Sequence, residues 1–273
     1  VLGVGDKGCA NPVRIGVEAA SIVPDTNEID DCSRNPQADT AVVPPLLNLP
    51  TLVVVLVGLL VAIHAIVGWM GENFEIWTIY AFSFIPQRLS HEAIAAPFGA
   101  AVWSFLTYAL LHGSWFHLIS NCLWLLVFAT PVVRHLGTVR ALALLTIAAV
   151  AGAAAMLPLH WGQFLIVIGA SASVSGAMAA AMPVMYAPGF RRTMAEDDGT
   201  LRALRPGELL RNRNALVFTA VFFMLQLLTG TSQATTGTAF LNEGLIAWEA
   251  HLGGFVAGLL GFYLLVRKSA SQA

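Results

Sequence analysis

Apolar runs about as long as a bilayer is thick alternate along this chain with short polar stretches, and that alternation predicts its architecture. Leu52 to Met70 carries no charge and matches the ~30 Å hydrocarbon core at ~1.5 Å of rise per residue. Further apolar segments run from Trp115 to Val133, Ala141 to Leu157, Phe164 to Met185, Ala215 to Leu228 and Ile246 to Val266. The pattern predicts an all-α polytopic membrane protein, a bundle of six transmembrane helices. Ala93 to Leu111 is apolar enough to add a seventh, but Pro97 and Gly99 interrupt it, and hydropathy alone leaves it undecided.

Composition supports this picture. The 273 residues are 57% hydrophobic and 11% charged, with a mean hydropathy of +0.72. That average is too high for a soluble chain with a single anchor. Lys and Arg number 14 against 16 Asp and Glu, so no basic surface for nucleic acid is expected. Cys9, Cys32 and Cys122 are too scattered for a disulfide framework or a zinc site.

Residues 1–47 differ from the rest, with seven acidic and three basic side chains, several prolines and no helical apolar stripe. They read as a mobile extension preceding a membrane domain over 48–268 and a short tail over 269–273. Gly3, Gly5 and Gly8 spell G-x-G-x-x-G, but without a preceding strand the match has no phosphate-binding scaffold. The chain starts at Val1 without the basic-then-apolar layout of a signal peptide, which fits a fragment, a processed product or a non-Met start alike.

Cations set the orientation, because Lys and Arg collect on the cytoplasmic side. Arg134 and Arg140 follow the second crossing, and Arg191, Arg192, Arg202, Arg205, Arg211 and Arg213 follow the fourth. Arg267 and Lys268 follow the sixth. The loops of opposite parity hold Arg88 with Glu72, Glu75, Glu92 and Glu243. Both ends are therefore expected inside, with Cys9 and Cys32 reduced.

Polar side chains at membrane depth point to function when they face a bundle interior. His117 and Asn121 lie four residues apart and share a helix face, so both can donate into one small volume. Interhelical hydrogen bonding explains that pair equally well. The run Gly169-Ala-Ser171-Ala-Ser173-Val-Ser175-Gly176 combines small residues with hydroxyls, and for Ser173 simple helix contact is the favoured reading. His251 shares a face with Gly254 and Gly258, a glycine track suited to pressing against another small-residue helix. Beside a serine, His251 becomes a candidate general base. Glu249, two residues away, faces elsewhere and cannot orient it, so any catalytic unit would be a dyad. His64, His91, His112, His135 and His160 show no compact ligand spacing and carry less weight.

These clusters, in this order on the second, fourth and sixth helices, resemble the rhomboid family of intramembrane serine proteases. The similarity covers roughly Leu52 to Lys268. Trp103-Ser-Phe-Leu-Thr107 through His112 and His117-Leu-Ile-Ser-Asn121 is similar to the family's first-loop and His-x-x-x-Asn region. Gly169-Ala-Ser171 resembles its Gly-x-Ser motif, and Ala250-His251 with Gly254 and Gly258 its final-helix motif. The resemblance implies Ser171 as nucleophile, His251 as base, His117 and Asn121 as oxyanion donors, and no cofactor. It also implies that Ala93 to Leu111 belongs to a membrane-embedded loop. Ala172, Ser175 and Ser104 stand where the family usually has glycine, an aromatic ring and arginine, so packing of His251 is expected to come from elsewhere.

The expected activity is cleavage of transmembrane segments of other membrane proteins, in a bacterial inner membrane. The competing reading is a catalytically silent relative that binds transmembrane helices, and a transporter or haem protein ranks third.

Overall fold

A computed structural model of the chain describes residues 49–90, 97–190, 202–236 and 247–266. The extension 1–47 with Cys9 and Cys32, the tail 269–273, His91, Arg191, Arg192, Arg267 and Lys268 lie outside the described residues. Among those described, the regular elements are helices: α1 (Thr51–Trp69), α2 (Glu72–Phe82), α3 (Ala100–Thr107), α4 (Trp115–Leu136), α5 (Thr138–His160), α6 (Ser171–Met185), α7 (Pro206–Leu209), α8 (Arg213–Thr236) and α9 (Trp248–Leu265). Four of them, α1, α4, α5 and α9, are long and apolar enough to cross a membrane. The other two expected crossings correspond to shorter apolar helices, α6 and the Arg213–Leu228 part of α8.

The expected crossing from Phe164 to Met185 starts later than its hydropathy suggests. Residues 163–169 are not helical, and the helix begins at Ser171. Val167 exchanges both backbone hydrogen bonds with Phe84 at 3.0 Å, and the Gly169 N–H donates to the Tyr108 carbonyl at 2.9 Å. Gly169 has φ +124°, outside the helical region. Backbone groups satisfied by a neighbouring segment have no need of a helix, even in an apolar stretch.

The described part of the stretch Ala93 to Leu111 does not form a seventh crossing. It forms the eight-residue α3 and then a 3-10 turn over Tyr108–Leu110, together too short to cross. The preceding residues, read from sequence only as a loop, hold an 11-residue helix, α2. Its C-terminal end would leave carbonyls without partners, and three side chains supply them. Trp103 Nε1 donates to the Ala81 carbonyl at 3.0 Å and Thr107 Oγ1 to that of Phe82 at 2.8 Å. The buried Arg88 guanidinium donates to the carbonyls of Ser83 and Tyr80. Tyr108 then anchors this layer to α5 by donating to the Ala149 carbonyl at 2.8 Å.

The centre of the bundle is α6, which α4, α5 and α9 surround. Its alanines, its glycine and Ser175 are buried. Helices in lipid gain no hydrophobic free energy from meeting each other, so they associate through close packing, and small residues permit it. A Cβ on Gly254 would fall on the Ala172 carbonyl, and one on Gly258 on the backbone of Gly176. The glycine track of α9 is thus seated directly on the backbone of α6. On the third side, a Cβ on Gly152 of α5 would lie 2.5 Å from the Ala172 methyl.

Gly258→Ala is therefore expected to lower stability by ~1–3 kcal/mol or more, because the obstructing atoms are backbone and cannot rotate away. Gly58→Ala on α1, where nothing lies within 4 Å, is the control and should stabilise by under ~1 kcal/mol. Thermal unfolding of both variants in detergent measures the contrast. Equal shifts would contradict the seating of α9 on α6.

Candidate active site

Ser171 is the first residue of α6, immediately after the extended lead-in. His251 lies in the first turn of α9, and the packing of Gly254 and Gly258 on α6 brings it alongside. The Ser171 Oγ and His251 Nε2 are 2.8 Å apart, within proton-transfer reach. Both residues are partly accessible rather than sealed.

His117 and Asn121 come from α4. Ser114 caps that helix, its hydroxyl accepting the His117 N–H at 3.1 Å, which fixes where the first turn starts and so where the His117 imidazole projects. That imidazole packs over Gly169: a Cβ there would lie 2.7 Å from His117 Nε2 and 3.8 Å from Ser171 Oγ. Glycine at 169 therefore meets two needs at once, a positive φ and the close approach of His117 to the serine. Asn121 is buried one turn further on, and its Nδ2 donates to the His117 carbonyl at 3.0 Å. The carboxamide keeps a second N–H.

The other sequence candidates separate from this cluster. Ser173 donates to the Leu145 carbonyl of α5 at 3.0 Å, the helix contact favoured for it, and Ser175 is buried inside the bundle. Glu249 meets His160 at 2.9 Å, joining the end of α5 to the start of α9. His64 packs edge-on to Trp115 with centroids 4.7 Å apart, and His135 stacks on Phe262 at 5.6 Å. Among the described residues no three His, Cys, Asp or Glu side chains gather as a metal site. The methyl of Ala172, in the place where the resemblance leads one to expect glycine, is accommodated opposite Gly152.

Two residues stand nearer the site than the sequence suggests, His112, which carries little weight there, and Gln226, which is not singled out. His112 is buried beside His117, ring centroids 5.1 Å apart, and its Nε2 accepts the Ala170 N–H at 3.4 Å. It thereby touches both the His117 ring and the residue preceding Ser171. Gln226 of α8 places its Oε1 2.9 Å from His251 Nδ1. Its only sequence signal was an amide in the apolar run Phe222-Phe-Met-Leu-Gln226-Leu-Leu228.

A family model described as Rhomboid domain matches residues 99–268, a stretch that holds every side chain of this cluster. No curated protein matches the chain.

Proposed function

The chain belongs to the rhomboid family and is an integral membrane protein, and from that premise we propose that it is an intramembrane serine endopeptidase. One observation carries the reading: a hydroxyl and an imidazole 80 residues apart in sequence lie at 2.8 Å. In this reading His251 accepts the Ser171 proton as Oγ attacks the scissile carbonyl. The C–N bond then breaks, and the imidazolium returns the proton to the leaving amine. Water attacks the resulting acyl-enzyme with His251 again as base. His117, Asn121 and the Ser171 backbone N–H stabilise the tetrahedral oxyanion, whose charge would be costly in a low-dielectric site.

The geometry of α6 suits chemistry below the membrane surface. Its 15 residues span ~22 Å, short of the ~30 Å core, so a helix reaching the inner face begins within the bilayer. In this reading α6 and α8 complete six crossings, and the Arg-rich loops favour both ends in the cytoplasm, the membrane being a bacterial inner membrane and the site opening outward. Substrates are transmembrane segments with small residues at the cut and locally unstable helices, since a scissile peptide must leave its own helical hydrogen bonds to reach Ser171. No cofactor enters this mechanism.

A fluorophosphonate probe applied to the folded protein in detergent is expected to phosphonylate Ser171, as mapped by mass spectrometry of the digested protein. Absence of labelling in protein that retains its cooperative unfolding would reject the protease reading and favour a silent relative that binds transmembrane helices.

A further inference from the structure

A histidine that serves as base must present an unprotonated Nε2 to the serine. Neutral imidazole carries one N–H, and the hydrogen bond made by the other nitrogen selects the tautomer. His251 Nδ1 faces the carboxamide oxygen of Gln226, an acceptor, at 2.9 Å. That partner requires the proton on Nδ1 and leaves the Nε2 lone pair for the Ser171 hydroxyl at 2.8 Å. Three side chains from α6, α9 and α8 therefore form one line of donors and acceptors.

Other means of holding the ring are occupied or absent. Glu249 is turned to His160. Ser175 is buried inside the bundle, and among the described residues no aromatic ring contact is made with the His251 imidazole. Gln226 itself sits among Met224, Leu225, Leu227 and Leu228, all exposed on the outside of the bundle where lipid lies. An amide at such a depth is costly unless it is hydrogen-bonded, and His251 is the partner it has.

We propose that Gln226 is the positioning residue for His251, reaching from α8 to fix the ring's orientation and its Nδ1–H tautomer for proton transfer from Ser171. The proposal rests on the Ser171–His251 reading. As the imidazolium forms, the Gln226 carbonyl dipole accepts a strengthened hydrogen bond from Nδ1–H without adding a second charge to the membrane.

The test uses the full chain in liposomes with a transmembrane peptide carrying small residues at its cleavage site, assayed between pH 5 and 9. Gln226→Leu should lower kcat by about 10–10²-fold with KM within twofold, because the wrong tautomer and a loose ring impair only the proton transfer; loss of a charged orienting partner in serine hydrolases costs up to ~10⁴. The rate of fluorophosphonate labelling should fall in parallel. Gln226→Glu keeps the shape and favours the imidazolium, so the acid limb of kcat/KM should move about a unit or more to higher pH, with activity recovering above it. A kcat for Gln226→Leu within twofold of the parent, or an unmoved limb in Gln226→Glu, would overturn the proposal. Should the leucine variant fail to fold, the nearly isosteric glutamate variant decides alone. Failure of the underlying reading shows separately, as cleavage or labelling that persists in Ser171→Ala.

Discussion

Ser171→Ala is expected to reduce cleavage of a transmembrane substrate by about 10⁴–10⁶-fold, the range over which serine hydrolases respond to loss of the nucleophile. The alanine variant loses only an oxygen and its 2.8 Å hydrogen bond to His251, so stability should change by no more than ~1 kcal/mol. His251→Ala should cost as much in rate, since the hydroxyl cannot shed its proton without the imidazole. The double variant should be hardly slower than either single one, because two members of one proton-transfer unit fail together. Single-turnover cleavage in liposomes, with unfolding midpoints measured on the same preparations, separates loss of chemistry from loss of fold. Specific cleavage by Ser171→Ala within tenfold of the parent would reject the nucleophile.

The second large effect is expected at His117. Removing one donor to a developing oxyanion typically lowers kcat by ~10²–10³-fold, about 2.7–4 kcal/mol of transition-state stabilisation. His117 Nε2 and Ser171 Oγ lie 2.7 and 3.8 Å from where a Cβ on Gly169 would stand, and the proposed function makes His117 a donor to the oxyanion formed there. His117→Ala should therefore lower kcat by that factor with KM little changed, and Asn121→Ala should lose a similar amount. Gly169→Ala offers an independent route to the same loss. Its methyl would lie 2.7 Å from His117 Nε2 on a backbone at φ +124°, so it must displace the imidazole and strain the lead-in to Ser171. Steady-state kinetics on the three variants check this; a kcat for His117→Ala within threefold of the parent would remove it from the oxyanion site.

Much of the arrangement is readable from local pattern. The apolar runs locate α1, α4, α5 and α9 to within a few residues, because a hydrophobic run of the right length is itself the physical requirement for crossing a bilayer. The four-residue spacing of His117 and Asn121 and the glycine track after His251 follow from helix periodicity. The start of α6 is misread from Phe164 because hydropathy reports affinity for lipid and not backbone conformation. What keeps residues 163–169 extended is their pairing with Phe84 and Tyr108, more than fifty residues earlier. The helix α2 escapes notice for a related reason, its terminal carbonyls being completed by Arg88, which follows it, and by Trp103 and Thr107 of α3.

By itself, then, the chain's order of residues determined a helical membrane protein with a serine, two histidines and an asparagine on particular helix faces, since spacing along one helix is a local property. Only the tertiary structure decided which of those faces meet. The 2.8 Å approach of Ser171 to His251 depends on the bare backbone of Gly254 and Gly258 lying against α6, and the line through Gln226 depends on α8 standing beside α9. Contacts between separate helices arise from packing of the whole bundle, and no periodicity within a single segment encodes them.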